Sequence, residues 1–490
     1  MPFPILSRSE MRAWEDASWA AGATEAGVID LVGKALARHL ASITDRDERI
    51  LIIAGKGNNG ADALAASRHL AGRQFATVEI RDPAADLVRL RERLTEFRPH
   101  WILDGLFGIG LSRPLDDAWQ AVIKLINASH CLIAAVDIPS GLDADTGLPM
   151  GAAISADLTL TVGAPKLGMI ATGAAEFLGR VAILSDIGLV PPPESKPGLY
   201  WTVGEDFEGF PQGRGALSHK GTFGHLAILA GSPGYHGAAV LAAEGALHAR
   251  PGLVSVVTLS TVFLQVGSQL ASAMVHRYKP KQSLPEKTTA ILAGPGLAAA
   301  GNIPADFRDW IQRLWRESFL PMVADASTLD WLPRRAVGSN PGRIVTPHPG
   351  EAARMLHLKP EEVMADRIGA LRSLSQLYGS SWVVLKGHQT LVGRHSGPIY
   401  VNSTGNPGLA QGGTGDVLSG FLAGLIAQPA LLPDPCLAIR YAVWEHGRAA
   451  DALEAERSNW ISADLPERLG RQLPAGNRPI WRTQHIASRE

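Results

Sequence analysis

Ile50-Leu51-Ile52-Ile53-Ala54-Gly55-Lys56-Gly57-Asn58-Asn59-Gly60-Ala61-Asp62, followed by the run ALAASRHLA, is the stretch on which the fold turns. An apolar β-rich run enters a glycine-rich turn and leaves it as a helix, the phosphate or dinucleotide cradle of a Rossmann-type unit. Glycines let the backbone come close to a phosphate. Asn58, Asn59 and Asp62 add three polar side chains at one turn, offering carbonyl and carboxylate oxygens to a cation or a sugar hydroxyl. Asparagine also accepts left-handed backbone angles, so a purely structural turn accounts for the same residues.

The same rhythm continues outward. Trp101 to Asp104, Leu132 to Asp137 and Leu158 to Val162 are short β-rich runs separated by helical segments, the pattern of a parallel α/β sheet. Asp104 closes one strand before Gly105-Leu106-Phe107-Gly108-Ile109-Gly110-Leu111-Ser112-Arg113-Pro114, and Asp137 closes another before Ile138-Pro139-Ser140-Gly141-Leu142. Ligands of open α/β sheets collect outside the carboxyl ends of strands, so the three turns are expected to converge on one crevice. Lys166, in APKLG, is a further polar candidate there, though a lysine in such a loop is usually solvated.

At 490 residues the chain exceeds what one core usually serves. Consecutive prolines in the run Gly188 to Lys196 exclude helix and place a boundary near residue 205, dividing the chain into domains 1–205 and 206–490. Strand and helix signals then alternate again, with Leu226 to Ala230, Leu253 to Thr258, Ala290 to Ala293, Met322 to Asp325 and Trp382 to Lys386. A second α/β domain follows. Its most telling motif is Gly412-Gly413-Thr414-Gly415-Asp416, running into apolar residues at helical spacing. The first turn of a helix favours an anion, so an acid beside it is either a base for phosphoryl transfer or a simple cap.

Charges nearly cancel, 46 Lys plus Arg against 47 Asp plus Glu, which leaves no electrostatic footprint for nucleic acid. Cys131 and Cys436, the two cysteines, stand in apolar surroundings and read as core residues of a reducing compartment. No run reaches the length of a membrane span, so a cytoplasmic protein is expected. The segment from about Gly476 reads as a loose polar tail.

GKGNNGAD, DGLFGIGLSRP and VDIPSGLDADTG together resemble the Rossmann-like αβα epimerase domain that interconverts the R and S hydrates of NADH and NADPH. HKGTFGHLAILAGS at His219, GPG at Gly294, TPHPGE at Thr346, VVLKG at Val383 and GGTGDVLSG at Gly412 resemble its dehydratase partner, a ribokinase-like α/β domain. In this order they resemble the bifunctional nicotinamide-nucleotide-hydrate repair enzymes over nearly the whole chain. The resemblance implies that the hydrates, NADHX and NADPHX, contact Asn58, Asn59, Gly60, Ala61 and Asp62, the loop Gly108, Ile109, Gly110, Leu111, Ser112, Arg113 and Pro114, and the catalytic Asp137. It places K+ against Asn59, Asp104 and Ser140. In the second domain it implies a hydrate pocket of Ala238, Gly296, His348 and the catalytic Asp416, and an adenylate site of Lys386, Gly387, His388, Gln389, Thr390 and Gly415. ADP is the implied phosphoryl donor, with Mg2+ assisting and AMP and phosphate as products. The family also implies self-association.

Where the family reads Gly-Gly-Asp-Gly this chain has Gly60-Ala61-Asp62-Ala63, whose methyls would crowd a phosphate if either alanine needed a positive φ. His348 fits a surface position as well as a pocket, Lys386 fits a snorkelling strand end, and Asp325 and Glu351 fit magnesium support or capping. Two other functions fit parts of the chain. A small-molecule kinase would explain the second domain alone, and a non-catalytic ligand-sensing scaffold would explain the first.

Overall fold

The computed structural model describes residues 2–196, 198–211, 213–298, 302–334 and 342–470. The polar tail expected from Gly476 lies outside the described residues. The chain divides into two compact units, one of Phe3–Trp201 and one beginning at Thr202.

In the first unit a short β1 (Phe3–Pro4) precedes β2 (Arg49–Ala54), β3 (Gln74–Glu79), β4 (Trp101–Gly105), β5 (Leu132–Val136), β6 (Leu158–Val162) and β7 (Arg180–Leu184), and β8 (Leu199–Thr202) returns antiparallel beside β1. β2 to β7 form a parallel sheet in the order β3-β2-β4-β5-β6-β7. Side chains alternate across a strand, and both faces of β2 are apolar because both are covered. Ile50 and Ile52 pack with Val32, Leu36 and Leu40 of the helix Glu25–Ile43. Leu51 and Ile53 pack on the other face with Leu90 of the helix Pro83–Phe97 and Val122 and Ile126 of the helix Asp117–Asn127. Three layers result. The strand order reverses between β2 and β4, so the turns after these two strands flank the switch point where α/β sheets bind ligands.

The second unit contains β9 (His225–Leu229), β10 (Leu253–Thr258), β11 (Met274–Arg277), β12 (Ala290–Ala293), β13 (Met322–Ala324), β14 (Arg343–Val345), β15 (Trp382–Leu385), β16 (Leu391–Gly393) and β17 (Ile399–Asn402). β9 to β15 are mutually parallel in the order β11-β10-β9-β12-β13-β14-β15, and β16 and β17 extend the sheet by antiparallel pairing. Its switch point lies between β9 and β12.

The helix Thr414–Ile426 is buried on nearly every side. It packs on the helix His236–His248 through small residues, so close that a Cβ on Gly420 would stand 1.9 Å from the Ala242 carbonyl oxygen, and one on Gly245 2.3 Å from that of Val417. Backbone contact of this kind fixes where the helix starts, and hence where Asp416 lies. Gly420→Val is expected to cost roughly 1–3 kcal/mol or more by overpacking, seen as a lower urea midpoint of the full chain. Gly267→Ala, whose added methyl meets open space, should leave the midpoint unchanged.

Candidate active sites

In the first unit the helix Asn58–Ser67 starts directly beyond β2, and its second residue, Asn59, is buried with neither its amide oxygen nor its amide nitrogen hydrogen-bonded among the described residues. Buried polar groups are nearly always paired, which makes this side chain a candidate for a ligand contact. Asp104, near the end of β4, is fully buried. Its Oδ1 accepts from Ser140 Oγ at 2.7 Å and from the Leu106 N–H at 3.2 Å, and its Oδ2 accepts from the Ser140 N–H at 2.9 Å. Burial pushes its pKa up to about 6, against those hydrogen bonds, and no cationic side chain among the described residues offsets it.

Asp137 follows β5 with φ of 70°, a left-handed conformation costing roughly 1–3 kcal/mol unless surroundings impose it. Here they do. Its N–H donates to the Leu160 carbonyl at 2.8 Å, and its Oδ1 accepts from the Val162 N–H at 3.2 Å and from Lys166 Nζ. Lys166 is fully buried and also donates to Thr161 Oγ1 at 2.9 Å and the Val162 carbonyl at 3.0 Å. The solvated-loop reading of this lysine is therefore corrected: all three of its N–H bonds are spent inside the protein. A Cβ on Gly108 would lie 3.2 Å from both Asn59 Oδ1 and Asp137 Oδ2, so the loop backbone runs between these two side chains. Asp62 is pushed up to about 8 by burial and by Asp137 and Glu15, with Lys166 opposing.

Not every expected contact faces this crevice. Asn58 is exposed and donates to Glu25 Oε1 at 2.7 Å, and Gly110, Ser112, Arg113 and Pro114 are exposed along their loop. Gly60 abuts the Gly55 carbonyl, while Ile109 and Leu111 pack partly into the apolar clusters beside the loop. The concern over the two alanines disappears, because Ala61 and Ala63 lie within the helix at ordinary φ. Their close packing depends on Gly105, where a Cβ would stand 2.4 Å from that of Ala63. Glu15, on the helix Arg8–Ala20, was invisible in the sequence: it belongs to no motif, and only folding brings its charge near Asp137 and Lys166. The cysteines are free and only half-buried, which corrects their reading as core residues.

In the second unit the expected residues lie at the carboxyl ends of adjoining strands. Lys386, just past β15, places Nζ 3.0 Å from Asp325 Oδ1 and 3.8 Å from Glu351 Oε2. Burial alone would lower its pKa, but Asp325, Glu351 and Asp416 outweigh burial and raise it. It points inward, not outward to water. A Cβ on Gly415 would be 3.4 Å from Lys386 Nζ, so the ammonium stands at the first turn of the helix carrying Asp416. Asp416 accepts no capping bond among the described residues. Burial first, and repulsion by Asp325 and Glu351 second, push its pKa up to about 7 while Lys386 opposes.

His348, half-exposed, caps the helix Pro349–Leu356: its Nδ1 accepts from the Gly350 N–H at 3.1 Å, and its own N–H donates to Glu351 Oε2 at 2.8 Å. Gly296 has φ of 61°, and a Cβ there would be 2.9 Å from that of Ala238, which brings these two residues together at the switch point. Gly387 and Gln389 give the Lys386–Thr390 turn its left-handed bends, and Thr390 Oγ1 donates to the Gly387 carbonyl at 3.1 Å. His388 is exposed to one side of that turn. His446, which no motif marked, donates from Nε2 to the Thr414 carbonyl at 2.9 Å, and burial lowers its pKa to about 4. It is a neutral brace for the helix start.

Fold and sites together define a two-unit α/β enzyme with a nucleotide-type cradle in each unit. Residues 226–475 match the family model described as NAD(P)H-hydrate dehydratase, and residues 25–168 match that of the YjeF-related protein N-terminus. The bifunctional NAD(P)H-hydrate repair enzyme Nnr of Gloeobacter violaceus is 33% identical, with 93% of this chain and 94% of the relative covered. That of Coxiella burnetii is 32% identical over 94% and 97% of the two chains. The solved ADP/ATP-dependent NAD(P)H-hydrate dehydratase of Bacillus subtilis, co-crystallized with ATP/Mg2+, is 31% identical over 52% of this chain and 91% of its own, at a TM-score of 0.46. The chain belongs to the family of bifunctional NAD(P)H-hydrate repair enzymes. Among the described residues no helix is long and apolar enough to cross a membrane.

Because the folded pKa of Asp416, about 7, lies above its ordinary 3.8, its contribution to stability is complete below that ordinary value and is lost as pH rises through 7. Asp416→Asn should therefore melt with the parent near pH 4 and above it near pH 8, by about 2 °C or more. Equal melting temperatures at both pH values would contradict the assignment.

Proposed function

We propose that the chain repairs hydrated NADH and NADPH in two steps, with epimerisation in domain 1–205 and ADP-dependent dehydration in domain 206–490. The observation that carries the reading is Asp416, a carboxylate titrating near neutrality at the start of a glycine-led helix, with Lys386, Asp325 and Glu351 around it. A base poised near the working pH is what proton removal from a hydroxyl requires. Asp416 takes the proton of the C6 hydroxyl as that oxygen attacks the terminal phosphorus of ADP. The phosphoanhydride bond breaks and AMP departs. The carbon–oxygen bond then breaks with the ring nitrogen supplying electrons, phosphate leaves, and loss of the C5 proton restores the double bond. Gly415 and the turn Lys386, Gly387, His388, Gln389 and Thr390 hold the adenylate, while Ala238, Gly296 and His348 line the hydrate pocket.

Magnesium fits this second site. Three carboxylates face one ammonium, which leaves negative charge for a divalent cation to balance, and Asp325 and Glu351 would hold it together with the diphosphate. When bound it neutralises charge on the transferring group.

In the first unit Asp137, fixed by Lys166 through Oδ1, keeps Oδ2 for proton transfer: a proton is delivered to the departing hydroxyl, which leaves as water while the ring nitrogen supplies the electrons, and Oδ2 takes a proton back as water adds to the other face. Asp62, neutral to about pH 8, is suited to donate a hydrogen bond beside it. Asn59, Asp104 and Ser140 fit potassium. An unpartnered buried amide oxygen and a fully buried carboxylate without a cationic neighbour are oxygen donors that a hard monovalent ion would satisfy. It would supply fixed positive charge there. Two free thiols support a reducing, cytoplasmic setting, and the family supports a homo-oligomer.

Purified protein given hydrated NADH with ADP and Mg2+ should restore the reduced-nicotinamide absorbance. A small-molecule kinase would instead leave a stable phosphorylated product, and a scaffold would leave the hydrate untouched. Asp416→Ala should slow recovery roughly 10²–10⁴-fold. Asp137→Asn should leave recovery of the S hydrate intact and strand the R hydrate, which a chiral separation of the residue would reveal. An Asp416→Ala protein working at the parental rate would end this reading.

A further inference from the structure

Three arginines are buried among the described residues, and two are accounted for. Arg343 donates to the carbonyls of Trp315, Ser318 and Leu320 at 2.8, 2.6 and 2.7 Å, closing the end of the helix Ala305–Glu317. Arg440 pairs with Asp206. Arg367 differs. It opens the helix Arg367–Leu377 and is only 7% exposed, yet it has no carboxylate partner among the described residues. Its Nη2 donates to the Gln389 carbonyl at 2.8 Å, and its Nε is buried with no acceptor. Burial accordingly lowers its pKa to about 10.

A buried cation without an anion is costly, and it persists where something else repays the cost. The position of Arg367 names the candidate. Its Nη2 lies 3.8 Å from where a Cβ on Gly387 would be, and the carbonyl it holds belongs to Gln389, whose φ is 52°. Around that turn the N–H groups of Gly387, His388 and Gln389 have no backbone acceptor among the described residues. Successive free N–H groups in alternating left- and right-handed bends form an anion-binding hollow, and a guanidinium beneath them adds the charge.

We infer that Arg367 is a positioning residue for a nucleoside diphosphate: it braces the Gly387–Thr390 turn through the Gln389 carbonyl, and its uncompensated charge is matched when the phosphates settle on that turn. The inference rests on the assignment of this turn to the nucleotide. It makes Arg367 responsible for phosphate-dependent affinity, separate from the hydrate pocket and from the chemistry at Asp416.

Calorimetric titration of the full chain with ADP and Mg2+, and separately with adenosine, tests it in the parent, Arg367→Met and Arg367→Lys. Arg367→Met should weaken ADP at least tenfold, leave adenosine within twofold, and flatten the dependence of ADP affinity on salt. Arg367→Lys keeps the charge but loses the forked donor, and should fall between the two. In turnover, KM for ADP should rise while KM for the hydrate stays constant. Parent-like ADP affinity in Arg367→Met, or equal weakening of ADP and adenosine, would overturn the role of Arg367 while leaving the nucleotide assignment standing. A parent protein that binds no ADP would remove that assignment as well. Should Arg367→Met fold poorly, Arg367→Lys carries the same comparison of ADP against adenosine.

Discussion

One ammonium shared among carboxylates organises the second unit. Lys386 lies between Asp325 and Glu351 and close to the first turn that carries Asp416, so four strand or helix ends are tied to a single charge. The same group sets the chemistry. Three acids and one base cannot all be charged in a dry site without strain, and Asp416, whose carboxylate accepts no hydrogen bond among the described residues, takes up the deficit as a raised pKa. In the proposed reaction, the readiness of Asp416 to act as a base follows from this unequal pairing.

The first unit solves a similar problem with its own lysine. Lys166 commits every N–H to Asp137, Thr161 and Val162, which keeps a strained residue in place and one carboxylate oxygen open. Asp62 and Glu15 share the field of that ion pair and are shifted upward chiefly by burial, with Lys166 opposing at both and Arg12 also at Glu15. Asp104 lies apart from this group, held by N–H and hydroxyl donors. Under the proposed function these two carboxylate environments have separate tasks, proton handling around Asp137 and a cation at Asp104.

Central strands were legible because burial on both faces makes them continuous apolar runs, as in Ile50 to Ala54 and Leu226 to Ala230. Other strands were not: the edge strand β3 buries only alternate residues, and β14, β16 and β17 are too short to stand out from loops. The site motifs were legible where glycine is forced by close approach, as at Gly296 and Gly413. Residues that act through contacts or charges made only by folding left no such trace. Glu15, Arg367 and His446 stand in ordinary helices, and no local pattern separates them from surface residues.

Composition, strand rhythm and glycine placement, by themselves, determined two α/β units and the turns where ligands gather, because these depend on backbone reach and on apolar periodicity. Tertiary structure alone decided which polar side chains are paired. Lys166 and Lys386 read as solvated residues until the fold removed water and supplied carboxylates, and Arg367 read as nothing until the fold buried it without an anion. Charge state is a property of surroundings, and surroundings come from residues far apart in the chain.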